Sequence, residues 1–530
     1  MSLTRRQLLA STVAASVTGM LAGDPPVPVA AAAADDVPID VDLETATVAE
    51  LRQLLDSGRV SAESLTRAYL DRIEAISLQP PALNAVRALN PNALAEARGA
   101  DEARRRGHRA PLLGIPVLLK DNIDAAGMPT TAGSVALAHS RPAADAPLVA
   151  QLRRAGAVIL AKGNLTEFAN FLTVGMPSGY SSLGGQVLNP YDASLTPSGS
   201  SSGPAVGAAA GLAPLTVGTE TSGSILSPSA ANSDVGIKPT VGLVSRTGIV
   251  PIAASQDTAG PIAKTVADAA VLLTAIAGMD PLDPATAANP LVGHDFTADL
   301  RTDALRGARI GVVQSQVPAA GTDNRALWDA ATAALTALGA ALVPVALDTT
   351  SSIPGGSSVL TYEFKRDLDT YLSRLPAGAP VRTLADVIAF NAAHAAVALK
   401  FGQVQALASQ AIDLGPGSAD TAKYLADRAQ DLADSRGRID PLMAANGLTA
   451  LLFANGGSAA IGARAGYPSI TVPAGYQAGT RRPFNVTFLG RAFSEPTLVG
   501  YGFAFEQATR LRRPPSAINP TLFERRALSR

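Results

Sequence analysis

The chain has 530 residues, 47% of them hydrophobic, so it is long enough to bury a large apolar core. Its 43 Lys and Arg residues are balanced by 44 Asp and Glu residues, which gives a formal net charge of −1. This balance argues against a protein that binds nucleic acid through a basic surface. The absence of cysteine excludes thiol nucleophiles, disulfides and cysteine-ligated zinc.

The first 34 residues predict a twin-arginine secretory signal. Arg5 and Arg6 precede an uncharged apolar stretch at 8–23, and a run rich in small residues follows at 27–34. The apolar stretch is shorter than the roughly 20 residues that a membrane-spanning helix needs. We therefore expect a secreted, periplasmic or cell-envelope protein with no stable membrane insertion after signal removal. The alternative is an ordinary alanine-rich helix.

Residues 35–530 predict one layered α/β domain. Thr47 and Glu50 form a capping box that begins a helix, and apolar runs at 115–119 and 157–161 indicate buried strands around a helix at 145–155. Such alternation is typical of a layered sheet. Further strands are expected at 82–89, 309–313, 341–345, 450–453, 469–472 and 486–489. Further helices are expected from Ser61, from the segment after Asn90-Pro91 to Arg106, and at 265–277, 324–338 and 495–510.

Residues 357–440 differ from the rest of the chain. They carry long helical patterns, more charge and few strand signals. We interpret them as a helical insert within the same domain, because strand signals resume after them.

Two glycine-flanked serine loops lie within residues 197–226, joined by an apolar segment at 205–217. Small residues allow backbone to approach a substrate closely and leave N–H groups available. A serine nucleophile needs a base, yet no histidine lies in this stretch. Ser201 fits the Gly-x-Ser-x-Gly elbow of α/β-hydrolases, but turn residues rather than a strand precede it. The histidines are expected to be surface or supporting groups: His108, His139, His294 and His394.

Lys120 offers a different base, because it directly follows the apolar run at 115–119. One interpretation is that its ammonium group simply extends into water. The other is that burial lowers its pKa and leaves a neutral amine that accepts protons. A complementary feature is the segment Thr221 to Ser224, whose consecutive N–H groups are suited to holding an oxyanion.

In this order, the motifs resemble the amidase signature family from about residue 45 to about residue 515. Within it they are most similar to the bacterial peptide amidase group. The segments that carry the resemblance are Gly114-Ile-Pro-Val-Leu-Leu-Lys-Asp-Asn-Ile-Asp124, Met128-Pro-Thr-Thr-Ala-Gly-Ser134, Asn189-Pro-Tyr191, Gly199-Ser-Ser-Ser-Gly203, Gly218-Thr-Glu-Thr-Ser-Gly-Ser224, Gly236-Ile-Lys-Pro-Thr-Val-Gly-Leu-Val-Ser-Arg246, Ser255-Gln-Asp-Thr-Ala-Gly-Pro261 and Ala465-Gly-Tyr-Pro-Ser-Ile-Thr-Val-Pro473.

The resemblance implies an α/β/α sandwich around a large mixed β-sheet and a Ser-cisSer-Lys triad. Ser224 is then the nucleophile, Ser200 the bridging cis-serine and Lys120 the base. The oxyanion would be held by the backbone N–H groups of Thr221, Ser222, Gly223 and Ser224. Substrate is expected to contact the loop residues Gly175, Met176 and Ser178. The sequence departs from much of the family at Ser222, Glu220 and Leu226, where Gly, Asp and Arg are common.

We therefore expect an exported amidase that forms a serine acyl-enzyme on a small-molecule or peptide amide, without metal or organic cofactor and without a nucleic-acid partner. Peptide C-terminal amides and acyl or aryl amides are the candidate substrates. Two alternatives remain: the glutaminase subunit of a tRNA-dependent amidotransferase, and a binding protein on an inactive amidase fold.

Overall fold

The computed structural model describes residues 41–80 and 82–520, so the predicted secretory signal lies outside the described residues. All described positions fall within one compact unit, Asp40–Arg530. Within it, an eleven-stranded mixed sheet confirms the predicted layered α/β class. In spatial order the strands are β1 (Val86–Leu89), β3 (Val158–Gly163), β2 (Pro116–Lys120), β6 (Leu215–Glu220), β8 (Thr258–Ala263), β7 (Val235–Lys238), β12 (Ser469–Tyr476), β13 (Pro483–Leu489), β11 (Ala450–Ala454), β9 (Arg309–Val313) and β10 (Ala341–Val345).

Parallel pairing is confined to two groups of three strands in this sheet. Strand β2 runs parallel to both β3 and β6, and β9 runs parallel to both β10 and β11. The other neighbouring strands are antiparallel. A separate two-stranded hairpin joins β4 (Tyr180–Ser181) to β5 (Gly185–Gln186).

Helices occupy most of the connections between the strands. Those outside the 357–440 region are α1 (Val48–Asp56), α2 (Ala62–Ile73), α3 (Ala93–Arg105), α4 (Pro147–Arg154), α5 (Ser202–Ala209), α6 (Leu226–Ala231), α7 (Val266–Ile276), α8 (Asp323–Ala337), α15 (Ala459–Ala465), α16 (Glu495–Thr509) and α17 (Pro515–Ile518). None of the helices in the described ranges combines the length and apolar character needed to cross a membrane.

Local sequence explains several of these elements. The Thr47 hydroxyl accepts from the Glu50 N–H while the Glu50 carboxylate accepts from the Thr47 N–H, so the predicted capping box begins α1. Every residue of β2 is buried, as a continuous apolar run predicts for a strand covered on both faces. Only Val86–Leu89 of the expected 82–89 strand pairs with the sheet.

A helical region separates β10 from β11. Its members are α9 (Val359–Ser373), α10 (Leu384–Ala393), α11 (Ala395–Ala398), α12 (Val404–Gln410), α13 (Ala419–Ala433) and α14 (Arg436–Ala445). Fully buried Phe364 of α9 meets Phe168 and Phe171 edge-on, with ring centroids 6.2 and 5.0 Å apart. This contact packs the helical region against the segment that leads into the loop at 173–179.

Candidate active site

The site begins where two parallel strands end. Strands β2 and β6 are neighbours, and Leu119 lies opposite Val217. Lys120 is the last residue of β2, and Thr219 lies one residue before the end of β6. Because the carboxyl ends of parallel strands meet at one edge of a sheet, both side chains come together there.

Lys120 is fully buried and surrounded by oxygen atoms. Its Nζ lies 2.8 Å from Ser200 Oγ, 2.8 Å from Thr219 Oγ1 and 3.2 Å from the Thr219 carbonyl oxygen. The Asn122 amide also donates to Thr219 Oγ1, at 3.0 Å. The amine is thus held by short contacts, and Lys120 does not reach bulk water.

Burial is the main influence on the Lys120 pKa, which it lowers from 10.5 to about 7. The carboxylates of Asp257 and Glu220 act in the opposite direction and favour the charged amine. Near neutral pH a large fraction of Lys120 is therefore uncharged and able to accept a proton.

Ser200 lies in a tightly packed loop just before α5. The Gly199–Ser200 peptide bond is cis, and the Ser200 carbonyl accepts from the Thr166 N–H at 3.1 Å. A Cβ at Gly199 would collide with the Thr166 hydroxyl and lie 3.5 Å from the Ser178 side chain. Glycine is required here because the loop passes so close to its neighbours.

Ser224 lies in the loop between β6 and α6. Glu220 holds this loop, because one of its carboxylate oxygens accepts from the N–H groups of Ile225 and Leu226 at 2.8 and 2.9 Å. Gly223 has φ +85°, a left-handed conformation that glycine adopts without strain. The Ser224 carbonyl accepts from the Ser201 N–H at 3.1 Å. This bond ties the neighbour of Ser200 to the loop of Ser224.

The predicted oxyanion donors lie in the same loop. Among the described residues, none accepts a hydrogen bond from the N–H of Thr221, Ser222, Gly223 or Ser224, although Thr221, Gly223 and Ser224 are buried. Buried N–H groups are rarely left without an acceptor. Such a run of donors is suited to an anion that arrives with the substrate.

The predicted substrate contacts lie in different surroundings. Gly175 is exposed, whereas Met176 is 7% exposed and packs in the apolar cluster that includes Phe168 and Phe364. Ser178 is half-buried and lies against the Gly199 loop. The 173–179 loop thus runs from the helical region to the site, and its role in substrate binding stays a prediction.

Comparison with known proteins decides the family. The amidase family model matches residues 64–399. A probable amidase of Arabidopsis thaliana is 41% identical over 484 residues, covering 90% of this chain and 92% of the relative. The chain belongs to the amidase signature family. It is an amidase that hydrolyses carboxamide C–N bonds.

Two further relatives bear on the reaction of this amidase. The crystal structure of native peptide amidase from Stenotrophomonas maltophilia is 45% identical, with a TM-score of 0.83, and the match covers 89% of this chain and 98% of that one. A glutamyl-tRNA(Gln) amidotransferase subunit from Acidothermus cellulolyticus is 45% identical over 275 residues, 52% of each chain. The match to the peptide amidase therefore covers 89% of this chain, whereas the match to the amidotransferase subunit covers 52%.

Other residues considered from the sequence lie apart from this chemistry. The Ser201 hydroxyl donates to the Thr219 carbonyl at 3.0 Å and accepts from the Thr219 N–H, so it is engaged by backbone. His294 is half-buried beside Asp299, and the remaining three histidines are exposed. Among the described residues, no group of three or more histidine, aspartate or glutamate side chains is arranged to hold a metal ion.

Sequence reasoning missed two contributors to the site, Thr219 and Asp257. Thr219 supplies two oxygens to Lys120, and Asp257 accepts from the Thr221 hydroxyl at 2.5 Å. A prediction of β6 beside β2 would have pointed to Thr219, because the carboxyl ends of these two parallel strands lie side by side. Asp257 lies in the segment 255–261 that contributes to the family resemblance, but nothing local indicates its role, because its partner Thr221 is 36 residues away.

Proposed function

We propose that this amidase acts through Ser224 as nucleophile, Ser200 as proton bridge and Lys120 as general base. The observation that carries the proposal is the 2.8 Å contact between buried Lys120 Nζ and Ser200 Oγ. A neutral amine has two hydrogens and one lone pair. The two oxygens of Thr219 accept the hydrogens, which leaves the lone pair for the Ser200 hydroxyl.

The reaction then proceeds by acyl transfer. Ser224 Oγ bonds to the amide carbon while its proton passes to Ser200, whose own proton passes to Lys120. The carbonyl oxygen gains a negative charge, which the N–H groups of residues 221–224 stabilise. The C–N bond breaks as the proton returns through Ser200 to the leaving nitrogen. Water then attacks the ester in the same way, releasing the carboxylic acid and restoring Ser224.

The substrate we propose is a peptide that ends in a carboxamide, from which ammonia is released. Support comes from the similarity to the Stenotrophomonas maltophilia peptide amidase over nearly the whole of that enzyme. Acyl and aryl amides are the competing substrates. Ser222, where much of the family has glycine, is exposed in the oxyanion loop.

A peptide-amide screen tests the substrate. The purified protein is incubated with amidated peptides, their free-acid counterparts, fatty amides and aryl amides, and products are followed by mass spectrometry. Conversion of amide to acid, a mass gain of about 1 Da, is expected for the peptides and absent for Ser224→Ala. Faster turnover of fatty or aryl amides than of every peptide amide would overturn the substrate assignment.

The second candidate is the glutaminase component of an amidotransferase, favoured by the 45% identity over 275 residues to the Acidothermus cellulolyticus protein. That relative belongs to an assembly, whereas the proposed amidase works as a lone chain. Turnover of peptide amides by the purified chain alone favours the amidase. Turnover of glutamine only after partner proteins are added favours the amidotransferase.

We also propose export through the twin-arginine route, supported by Arg5-Arg6 and the apolar stretch behind them. Replacing both arginines by lysine in the full chain is expected to retain the protein inside a bacterial host. Equal amounts outside the cytoplasm with and without the substitution would contradict this route.

A further inference from the structure

Asp257 connects two backbone segments next to the site. One carboxylate oxygen accepts from the Thr221 hydroxyl at 2.5 Å. The other accepts from the N–H groups of Ile252 and Ala253, both at 2.9 Å. Thr221 is the first residue of the predicted oxyanion loop. A single carboxylate therefore fixes that loop to the segment 252–255.

The helical region holds the same segment from the other side. The Ala254 N–H donates to Asp367 and the Ser255 N–H donates to Glu363, each at 2.9 Å. Both acids belong to α9. Four consecutive N–H groups, 252–255, thus donate to carboxylates, and charge-assisted bonds of this kind are roughly twice as strong as neutral ones. The segment is clamped between Asp257 and α9.

Asp257 also contributes to the electrostatics of the site. The charged groups that face it are Lys120, Arg246 and Asp367. The pKa of Asp257 is raised to about 7, mainly by burial and to a lesser degree by the neighbouring Asp367, while its three hydrogen bonds act in the opposite direction. In its ionised form Asp257 favours the protonated form of Lys120.

We propose that Asp257 is a positioning residue for amide hydrolysis, fixing the oxyanion loop through Thr221 and coupling that loop to α9. The proposal rests on the proposed role of the 221–224 loop and adds a device that keeps its N–H groups aligned. It also connects the helical region to the oxyanion loop, because Asp257 and α9 both bind the segment 252–255.

The test compares Asp257→Asn with Thr221→Val. We expect kcat to fall about tenfold or more in both, with KM within about threefold, because a misaligned oxyanion loop weakens transition-state stabilisation. In Asp257→Asn the acid limb of the pH–rate profile also moves at least about half a unit lower, because Lys120 loses a negative neighbour. In Thr221→Val the carboxyl group remains but loses a hydrogen bond that lowers its pKa, so the limb is expected to move less than in Asp257→Asn.

A second measurement tests the role of Asp257 without depending on which amide is the substrate. The rate at which a fluorophosphonate labels the protein, followed by intact mass, is expected to fall in both variants. Absence of labelling in the unmodified protein would instead count against Ser224 as nucleophile. A merely structural role would reduce the amount of folded, labelled protein but would not move the acid limb of the pH–rate profile. Melting curves and the position of that limb therefore distinguish a structural role from a positioning role.

Two variants of α9 serve as a matched pair. Asp367→Asn removes the charge that holds Ala254, whereas Asp369→Asn alters a carboxylate that accepts from the Leu384 N–H within the helical region. A several-fold loss of kcat is expected only for Asp367→Asn. Rates within about twofold of the unmodified protein for Asp257→Asn and Thr221→Val together, with an unmoved acid limb, would overturn the proposal.

Discussion

At the scale of the residue, the amidase depends on a lysine that has been withdrawn from water. Lys120 is fully buried, and within the described part of the chain its amine hydrogen-bonds to uncharged oxygen atoms of Ser200 and Thr219. Isolation of this kind disfavours the ammonium form. Burial therefore leaves much of Lys120 in the neutral form that accepts a proton at neutral pH, at a cost to the stability of the fold.

We predict that amide hydrolysis rises with pH through a single limb centred near 7, because Lys120 has a pKa of about 7 and acts when neutral. Initial rates at subsaturating substrate from pH 5 to 10 measure the limb. Lys120→Ala is expected to abolish turnover throughout. A rate maximum in acid, with a decline towards pH 8, would contradict a neutral lysine base.

The same pKa has a consequence for stability. Between about pH 7 and pH 10.5 the unfolded chain holds a proton on Lys120 that the folded chain lacks, so raising the pH through this window favours the folded state. Lys120→Met lacks this dependence. The free energy of unfolding of the unmodified protein should rise relative to that variant by up to about 1.4 kcal/mol per pH unit.

Denaturant titrations of both proteins at pH 7, 8, 9 and 9.5 provide the check. Below about pH 7 Lys120 is protonated in both states, so the difference between the proteins should be constant there. A difference that stays constant from pH 7 to 9.5 would show that the folded chain keeps Lys120 charged.

At the scale of the element, the loop between β6 and α6 sets the geometry. Glu220 accepts from the N–H groups of Ile225 and Leu226, and Asp257 holds Thr221 at the other end. Gly223 provides the left-handed residue between these two fixed points. The loop therefore presents its N–H groups from a braced backbone rather than from a free turn.

We predict that Gly223→Ala lowers kcat strongly and destabilises the protein by about 1–2 kcal/mol, since an alanine must adopt φ +85°. Its Cβ would also lie 3.0 Å from Ser227 Oγ. Gly307→Ala is the matched control, because Gly307 also has a positive φ but open space around it. If Gly223→Ala were destabilised as much as the control variant but kept an unchanged kcat, the geometry of this loop would not be critical for catalysis.

Local sequence patterns predicted many elements, because capping and apolar runs act over a few residues. The capping box at Thr47, the buried run at 115–119 and the strands at 309–313 and 341–345 are confirmed. Strands β6, β7 and β8 were not predicted, since their glycines, threonines and lysines weaken the apolar signal. Their identity depends on pairing with distant strands, which a local pattern does not encode.

In the candidate site, too, local motifs predicted some features, and others depend on distant parts of the chain. The motifs around Lys120 and the two serine loops pointed to the residues that the fold brings together at the ends of β2 and β6. The partners of these residues follow from register and from long-range contacts, as the Thr219 oxygens and the Asp257 carboxylate show. Met176 packs in an apolar cluster with the helical region, and its expected contact with substrate stays a prediction.

At the scale of the whole molecule, the sheet and the helical region act together. Phe364 of α9 fills the space beside Phe168 and Phe171, just before the loop at 173–179. The same helix supplies the two acids that hold residues 254 and 255. Helix α9 thus anchors the helical region through Phe364. Its acidic side chains, Glu363 and Asp367, bind the backbone beside the site.

We predict that Phe364→Ala destabilises the protein by about 3–5 kcal/mol, because it leaves a cavity at a fully buried position. Leu425→Ala, at a position 60% exposed on α13, should change stability by less than about 0.5 kcal/mol. Thermal or urea unfolding measures both. Similar small effects in the two variants would show that the helical region is loosely attached.

The central claim, that Lys120 activates Ser224 through Ser200, is tested most directly by mapping fluorophosphonate labelling with peptide mass spectrometry. We predict one phosphonylated residue, Ser224, with labelling lost in Ser224→Ala and slowed at least about a hundredfold in Lys120→Ala and Ser200→Ala at pH 8. Labelling at Ser201 or Ser222, or undiminished labelling of Ser224 in Lys120→Ala, would contradict the account.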